Sequence, residues 1–359
     1  MEPTKPSQDL VRALTDEHVL RALMRHRRLT RAELAVEIGI SKPTAGESVR
    51  RLTERGLVAD TGERTPGGRG RGRVGSYYAI APTAGVALAI TISPAGVVAE
   101  CIDVYGDTVA RAVRQVDRTT WPRQVAAALQ ETVAEAAPGH SPVRLAVIGA
   151  ADPVDRATGR LVHLPDSPFL VGELDPAALL APIDVVVDND VNWAALAEPE
   201  HARDFAYLYL GDGLGCAIVT DGAVRRGHSG LAGEIGHLLT TGPGGRSMPF
   251  IEVFGALGLR RPNSTAIDVD WLRYADQNGR EAIGLAVSGV LAAIVALVDP
   301  REIVIGGTWG PALIDEIGKA AARMPRPVPL RPATTGIGDP VMAGVRAEAL
   351  DRLRASLTA

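Results

Sequence analysis

The chain has 359 residues, enough for two or three domains that each bury a core. Apolar residues make up 46% of it and aromatic residues only 4%, so the core must consist mainly of Ala, Val, Leu and Ile, as in parallel sheets that are buried on both faces. Two isolated cysteines, Cys101 and Cys216, support neither a disulfide framework nor a thiolate metal site, and we expect both to be buried.

No targeting or membrane segment is expected. The first residues include acids and lack the apolar stretch of a signal peptide. The most apolar run, residues 282–298, contains Ser288 and Gly289 and is shorter than the ~20 residues of a membrane span. We therefore predict a buried helix there, and a cytoplasmic protein with no membrane partner.

Charge is distributed unevenly along the chain. The net charge is −4, but the first 80 residues carry 15 basic and 10 acidic side chains, a balance of +5, which leaves −9 for the remainder. A basic head on an acidic body indicates a polyanionic partner for the head alone.

The head has the sequence pattern of a helix-turn-helix. The second helix is expected to begin at Thr30, which can form a capping box with Glu33. A turn at Gly39 precedes the third helix, with Ser41 as its N-cap and Pro43 in its first turn. The first helix is marked by apolar residues at helical spacing: Val19, Leu20, Leu23 and Met24.

The third helix has an apolar and a polar stripe. Ala45, Val49 and Leu52 are expected to pack inward. The polar side is short-chained and basic enough to enter a major groove. The residues of this helix predicted to bind DNA are Lys42, Thr44, Ser48, Arg50 and Arg51.

Two predicted strands, at residues 58–61 and 74–80, flank a run of arginines and glycines and form a wing. Glycine lets the backbone follow a guanidinium into a narrow minor groove, so Arg69, Arg71 and Arg73 are predicted to bind DNA as well. Two alternatives remain open: the run is a solvated linker, or the head is a three-helix interaction module with a solvated charged face.

Beyond residue 80 the chain alternates strands and helices. Strands are expected at residues 86–92, 97–104, 109–116, 145–149, 185–188, 205–210, 216–220 and 223–226, with a helix at 124–137. Two similar α/β halves, each opening with a meander, predict a bilobal actin or sugar-kinase-like (ribonuclease H-like) body with a cleft between its lobes. We divide the chain into the head (1–80), a first lobe (81–190) and a second lobe (191–359).

Several segments resemble the ROK family of repressors and sugar kinases. Asn189-Asp190-Val-Asn192, followed by Glu198, is similar to the family pattern N-D-x-N-x-x-x-x-x-E. Residues 227–237, GHSGLAGEIGH, resemble the family's G-x-x-G-x-A-G-E-x-G-H, and residues 147–155 and 299–307 are similar to two more of its segments in the same order.

The resemblance implies a sugar pocket lined by Asn189, Asp190, Glu234 and His237, with Glu252 as a weaker addition. Carboxylate, amide and imidazole groups suit this role because each can hold two neighbouring sugar hydroxyls by charge-assisted hydrogen bonds. Without the resemblance, an Asp-Asn-Asp run is more often a helix cap, and a Glu-x-x-His pair is commonly a surface or metal pair.

The phosphate-binding loops of the family's kinases are altered here. The first, G-x-D-x-G-G-T, corresponds to residues 85–91, where Ala87 replaces the aspartate that serves Mg²⁺ and Ala89 and Ile90 replace two glycines. The second, G-T-G-x-G, carries Asp212, which would repel a phosphate. Phosphoryl transfer depends on positioning and charge neutralisation, so we expect no kinase activity, no catalytic residue and no cofactor.

The family's zinc-binding segment, C-x-C-G-x-x-G-C, is also altered, because residues 241–250 contain no cysteine. We therefore expect no metal site, and we expect His237 to act only as a hydrogen-bonding group.

These features favour a transcriptional regulator, specifically a repressor, that senses a sugar or sugar derivative without phosphorylating it. Its expected partners are a double-stranded DNA operator, a small-molecule sugar effector and further copies of itself in a homodimer or a dimer of dimers. One alternative is an ATP-dependent sugar kinase with a regulatory DNA-binding head, in which Asp190 is the catalytic base. Another is a constitutive DNA-binding protein with a vestigial pocket.

Overall fold

The computed structural model of the chain describes residues 8–65, 74–117, 120–137, 139, 141–164, 169–170, 172–199, 203–334 and 339–358. These form a small N-terminal head and a body of two lobes, each built on a five-stranded mixed sheet.

The head is a winged helix-turn-helix, as predicted. Thr30 and Glu33 form both halves of the expected capping box, and Ser41 caps the third helix by accepting from the Thr44 amide. The three strands pair antiparallel in the order β1-β3-β2. The elements are α1 (Gln8–His26), β1 (Leu29–Thr30), α2 (Arg31–Glu37), α3 (Lys42–Glu54), β2 (Val58–Arg64) and β3 (Ser76–Ile80).

The first lobe has the strand order β6-β5-β4-β7-β8, with the β4–β5–β6 meander antiparallel and β7 and β8 parallel to β4. Helix α4 packs on one face of the meander through an apolar core. The elements are β4 (Val86–Ser93), β5 (Gly96–Ile102), β6 (Thr108–Arg114), α4 (Pro122–Ala136), β7 (Val143–Ala150), α5 (Pro176–Leu180), β8 (Asp184–Asn189) and α6 (Asp190–Leu196).

The second lobe repeats this arrangement in the order β11-β10-β9-β14-β15, which confirms the prediction of two similar halves. A separate hairpin, β12–β13, lies between the meander and the helices. The elements are β9 (Phe205–Leu210), β10 (Leu214–Thr220), β11 (Ala223–Val224), β12 (Leu239–Thr241), β13 (Ser247–Pro249), α7 (Phe250–Ala256), α8 (Val269–Leu272), α9 (Gln277–Val298), β14 (Glu302–Gly306), α10 (Ile314–Ala321), β15 (Leu330–Pro332) and α11 (Pro340–Thr358).

Helix α9 contains the most apolar run of the sequence. Within the described part of the chain it is the one helix long and apolar enough to cross a membrane by length and composition. Ile283, Val287, Val290 and Leu291 on this helix are fully buried in the core of the second lobe. The helix therefore packs as the predicted core helix of a folded lobe.

Helix α11 packs on the first lobe, although the sequence-based boundary at residue 190 assigned it to the second. Val345 and Ala349 are buried against the first sheet in a core that includes Ala87, Val147 and Trp193. The boundary is wrong for this helix because its apolar face matches a sheet formed far earlier in the chain. The first lobe therefore combines residues from two distant parts of the sequence.

Contacts between α6 and α11 are unusually close. Trp193 of α6 is buried, and its indole Nε1 donates to the Ile148 carbonyl at 3.0 Å. A Cβ added to Gly344 of α11 would collide with the Trp193 carbonyl oxygen, and one added to Gly149 would lie 2.9 Å from the Trp193 Cδ1. Both positions therefore require glycine so that the helix backbones and the sheet can approach.

We predict that Gly344→Ala destabilises the protein by about 1–3 kcal/mol, the usual cost of overpacking a closed interior. Urea unfolding of the purified variant measures the change. Gly318→Ala on α10 is the matched control, since a Cβ there meets no atom within 4 Å. In a helix interior that control is expected to stabilise by up to about 1 kcal/mol. Equal effects at the two glycines would contradict the close α6–α11 approach.

Candidate functional site

A cleft of about 800 Å³ lies between the two lobes. Its size falls in the upper part of the range, roughly 300–1,000 Å³, that small-molecule pockets occupy. Four of the five predicted sugar-pocket residues line it: Asn189, Asp190, Glu234 and His237. The structure therefore brings together residues that are separated by more than forty positions in sequence.

Asn189 and Asp190 lie where β8 ends and α6 begins. The Asn189 side-chain oxygen caps α6 by accepting from the Val191 amide at 3.0 Å, and its Nδ2 donates to the Asp152 carbonyl at 3.3 Å. Asn189 is therefore a helix cap and also lines the cleft. Because the cap fixes the start of α6, it also fixes where the Asp190 carboxyl faces the cleft.

An ion pair between the lobes supports this segment from behind. The buried Asp188 carboxylate accepts from the Asn189 amide and from the Asn192 side chain, both at 2.8 Å. Arg226, which follows the second-lobe meander, donates to the other Asp188 oxygen at 2.6 Å. The pocket segment is thereby tied to both lobes.

Glu234 and His237 reach the cleft because a glycine-rich loop passes very close to neighbouring backbone. Gly233 has φ +101°, and a Cβ there would collide with the Cys216 carbonyl. Gly230 has φ +96°, and a Cβ there would collide with the Val154 carbonyl of the other lobe. The glycines of the motif thus allow the close packing that directs Glu234 into the cleft.

The cleft carboxyls are crowded. Burial raises the pKa of Asp190 to about 7, with further contributions from the charges of Asp152, Glu234 and Asp339. Burial, with the charge of Asp152, raises the pKa of Glu234 to about 7 although part of this residue is open to the cleft. Near neutral pH each can therefore donate to or accept from a sugar hydroxyl.

Glu252, the fifth predicted sugar-pocket residue, is not among the described residues that line this cleft. Its carboxylate instead accepts from Arg260 at 3.0 Å, and the same guanidinium donates to the Ile251 carbonyl at 2.7 Å. The side chain lies on the exposed side of α7, because the buried side of that helix is taken by Phe250, Val253 and Phe254.

The segment that lacks the family's cysteines is held by hydrogen bonds. Strands β12 and β13 form a hairpin closed by the Gly242 amide, which donates to the Arg246 carbonyl at 2.8 Å. The Thr240 hydroxyl anchors this hairpin to α9 by donating to the Ala286 carbonyl at 2.6 Å. Among the described residues, no group of three His, Cys, Asp or Glu side chains is placed to hold a metal ion.

The two altered phosphate loops have different surroundings. Ala87, Ala89 and Ile90 lie in the middle of β4 and are fully buried. Gly211, Asp212 and Gly213 form the turn between β9 and β10, where the Trp309 indole donates to the Gly211 carbonyl at 2.9 Å. Asp212 and Gly213 line the cleft, so a carboxylate stands at this edge of it.

The predicted DNA-binding residues of α3 differ in exposure and in their hydrogen-bond partners. Lys42 and Thr44 are exposed near the start of the helix. Arg50 is exposed but held between Glu47 and Glu54, with Nη1 2.6 Å from the Glu54 carboxylate. The assignment of Ser48 is wrong, because its side chain is fully buried and donates to Asp16 of α1.

Arg51 also contacts Asp16. Its guanidinium forms two hydrogen bonds to the carboxylate, at 2.6 and 3.2 Å, and 27% of its side chain remains exposed. The polar stripe is therefore partly a helix-helix contact within the head. The arginines predicted at the wing tip, Arg69, Arg71 and Arg73, lie outside the described residues.

Sequence reasoning missed three groups near these surfaces. Asp339, at the start of α11, and Arg261, after α7, line the cleft. Glu47 lies on the exposed face of α3 beside Arg50. The Arg260-Arg261 doublet before Pro-Asn-Ser-Thr was a visible turn signal, whereas the arrival of α11 at the cleft depends on long-range packing.

Two family models match the chain. The ROK family model covers residues 97–250, and a winged helix-turn-helix DNA-binding model covers residues 12–59. The chain therefore contains a ROK family domain in its body and a winged helix-turn-helix domain in its head. The ROK body contains the cleft, and the head contains α3.

The chain is also similar to known enzymes over part of their length. It is 33% identical over 165 residues to the bifunctional enzyme NanE/NanK of Brucella melitensis, covering 41% of this chain and 30% of that protein. It is 29% identical over 160 residues to a glucokinase of Streptomyces coelicolor, covering 43% and 50%. The match therefore spans between about a third and a half of these relatives.

Solved structures share the fold. A ROK family transcriptional regulator, described as a homolog of the E. coli MLC protein, superposes with a TM-score of 0.62 at 18% identity and covers 97% of this chain and 99% of its own. A ROK family glucokinase from Streptomyces griseus, in complex with glucose and AMPPNP, gives 0.55 at 23% identity and covers 74% and 99%. The fold thus occurs in both a regulator and a kinase, and the regulator's match includes the head.

We predict that Asp190→Asn raises the melting temperature at about pH 8 and has a much smaller effect at about pH 5. The ordinary pKa of this carboxyl is 3.8 and its folded value is about 7, so the folded chain binds the proton more tightly. The stability that the proton confers is complete below the ordinary value and is lost as the pH rises through about 7. Thermal melts of ligand-free protein across this range measure the effect.

Asp270→Asn provides the control, since Asp270 is exposed on α8 outside the cleft. It should leave the pH dependence of the melting temperature as in the wild type. A gain for Asp190→Asn that is the same at both pH values would show that the carboxyl is not crowded in the ROK cleft.

Proposed function

We propose that this protein is a cytoplasmic transcriptional repressor whose ROK body binds a sugar or sugar derivative without phosphorylating it, and that binding alters the affinity of the head for DNA. The observation that carries the proposal is a single apolar core. It joins the head, the first sheet and α11, and α11 begins at the cleft. Ligand and DNA sites are therefore connected by packed structure.

The connection can be followed from residue to residue. Asp339 and Val341 line the cleft at the start of α11. Two turns along the helix, Arg346 donates to the Gly106 carbonyl at 2.8 Å and to the Thr108 hydroxyl at 2.7 Å. Helix α11 thus holds the turn between β5 and β6, which is the turn that contacts the head.

The turn between β5 and β6 also forms hydrogen bonds to the head. Asp107 accepts from Arg27 at the end of α1, with 2.9 Å between the Asp107 Oδ1 and the Arg27 Nη2. The Tyr105 hydroxyl donates to the Arg27 carbonyl at 3.1 Å and accepts from the Ile80 amide at 3.2 Å. A shift of α11 at the cleft would therefore reach the head through these two residues.

DNA recognition is proposed for Lys42, Thr44, Arg50 and Arg51 on α3 and for the wing arginines Arg69, Arg71 and Arg73. In a homodimer or a dimer of dimers two heads must meet two half-sites at once, so a change in their relative position changes affinity. A sugar effector shifts this equilibrium only by its differential affinity for the two arrangements. Asn189, Asp190, Glu234 and His237 are its proposed contacts.

The absence of phosphorylation is proposed from the altered loops. Residue 87 is a buried alanine, so no carboxylate stands at the position that serves Mg²⁺ in the family's kinases. Asp212 adds negative charge beside the place of the phosphates. Because phosphoryl transfer relies on charge neutralisation, both changes oppose it. The cleft then serves as a sensor.

We predict that the purified protein retards DNA from its own upstream region in a gel shift, with an affinity that falls as salt rises. Arg71→Ala should weaken this complex and reduce the magnitude of the slope of log affinity against log salt by about 1, the share of one phosphate contact. Its response to any effector should be unchanged.

Arg273→Ala, an exposed arginine of the second lobe, is the control and should leave the slope as in the wild type. A slope unaffected by Arg71→Ala would argue against contact between that arginine and DNA. No retardation of upstream DNA at low salt would count against the repressor altogether.

We predict no ADP release above background when the protein is incubated with ATP and common monosaccharides. A coupled assay measures the rate, and Asp190→Asn identifies any contaminating kinase because contaminant activity survives the substitution. A rate that disappears in Asp190→Asn would establish the alternative, a sugar kinase with a regulatory head. If no sugar shifts the melting temperature, a constitutive DNA-binding protein is favoured instead.

A further inference from the structure

Among the described residues, one guanidinium at the cleft has no carboxylate partner. Arg261 lines the cleft and is half-buried. Its Nε is buried and has no hydrogen-bond partner among the described residues. A half-buried guanidinium without a carboxylate partner is costly to desolvate, so a partner from outside the chain is expected at the part of Arg261 that faces the cleft.

The neighbouring arginine differs at its terminal nitrogens, although its Nε is likewise buried without a hydrogen-bond partner among the described residues. Arg260 is paired with Glu252 and bonded to the Ile251 carbonyl, which ties it to α7. No described carboxylate pairs with Arg261. The two adjacent arginines therefore differ in role: one holds the structure together and the other faces the cleft.

A short hairpin fixes the position of Arg261. Arg260 and Ile267 pair antiparallel, and the Arg261 amide donates to the Ala266 carbonyl at 2.9 Å across a tight turn. The Ile267 amide donates to the Asp212 carbonyl at 2.9 Å, which docks this hairpin on the turn between β9 and β10. Arg261 is thus presented by a braced element.

The acids of the cleft do not supply the missing partner. Asp268 accepts from the Trp271 amide at 3.2 Å as the cap of α8, and Asp339 accepts from the Val341 amide at 2.9 Å at the start of α11. Asp190 and Glu234 belong to the proposed sugar contacts, and Asp212, which also lines the cleft, forms no ion pair with Arg261. Among the described residues that line the cleft, Arg261 is the one arginine or lysine.

We propose that Arg261 binds an anionic group on the effector, so that the ligand is a sugar carrying a phosphate or a carboxylate rather than a neutral sugar. This inference rests on the proposed sensing function and names the chemical class of its ligand. The sugar ring lies against Asn189, Asp190, Glu234 and His237, and the anion accepts from the planar guanidinium fork. The hydroxyls of Ser264 and Thr308 line the same cleft.

The test is calorimetry on the full-length protein with matched probes: glucose, glucose 6-phosphate, glucuronate, N-acetylmannosamine, N-acetylmannosamine 6-phosphate and inorganic phosphate. The first and fourth are neutral sugars, and the others separate phosphate from carboxylate and sugar from free anion. For one pair at least, the anionic form should bind about tenfold or more tightly than the neutral form, as expected for a hydrogen bond to a charged group.

Arg261→Ala should abolish this preference and leave the affinity for the neutral sugar unchanged. Arg261→Lys should retain part of it, because the charge remains while the bidentate fork is lost. Arg273→Ala is the matched control and should behave as the wild type. Circular dichroism spectra and melting temperatures of all variants establish that they are folded.

Failure of the inference and failure of the sensing function give different results. If the neutral sugar binds as well as its anionic form, or Arg261→Ala weakens both equally, the anion contact is overturned while sensing stands. If none of the sugars binds, the proposed sensing function fails and the inference fails with it. Binding of AMPPNP that is lost in Arg261→Ala would assign the arginine to a nucleotide and would overturn both.

Discussion

The position of α6 between the two sheets is the constraint on which the rest of the body depends. Trp193 enters the core of the first lobe, while Val191, Ala194 and Ala195 pack with the second sheet. The helix begins at Asp190, so its first turn lies in the cleft and its sides contact both lobes. Any change in the angle between the lobes must therefore be accommodated at α6. Because Gly344 packs directly on the Trp193 backbone, α11 must accommodate the same change in angle.

Charge has a different role in each half of this arrangement. At the head, acids neutralise several of the basic groups: Asp16 holds Arg51, and Glu47 and Glu54 hold Arg50. Two of the basic groups on α3 therefore have acidic neighbours within the head. In the cleft, burial raises the pKa of Asp190 and Glu234, with a smaller contribution from neighbouring carboxyls, and makes a ligand that supplies hydroxyl groups a favourable neighbour.

Sequence reasoning located most of the fold because its signals are local. The Thr30 capping box and the alternation of strands each depend on a few adjacent residues, and both are present in the structure. Side-chain direction was predicted less well. Ser48 was placed on a DNA-facing stripe by helical spacing, but the burial of that stripe depends on Asp16, which lies 32 positions earlier. The return of α11 to the first sheet and the presence of Arg261 in the cleft likewise depend on contacts between distant segments, which spacing does not encode.

The altered phosphate loop and the attachment of the head are connected through one strand. Ala87 and Ala89 of β4 lie in the apolar core that includes α11 and the head, whereas Leu88 and Ile90 face the core beneath α4. An aspartate at position 87 would place a carboxylate among these apolar side chains, at a cost that apolar neighbours do not offset. Alanine at this position completes the surface on which α11 packs. The residue types of β4 therefore support the physical link between cleft and head.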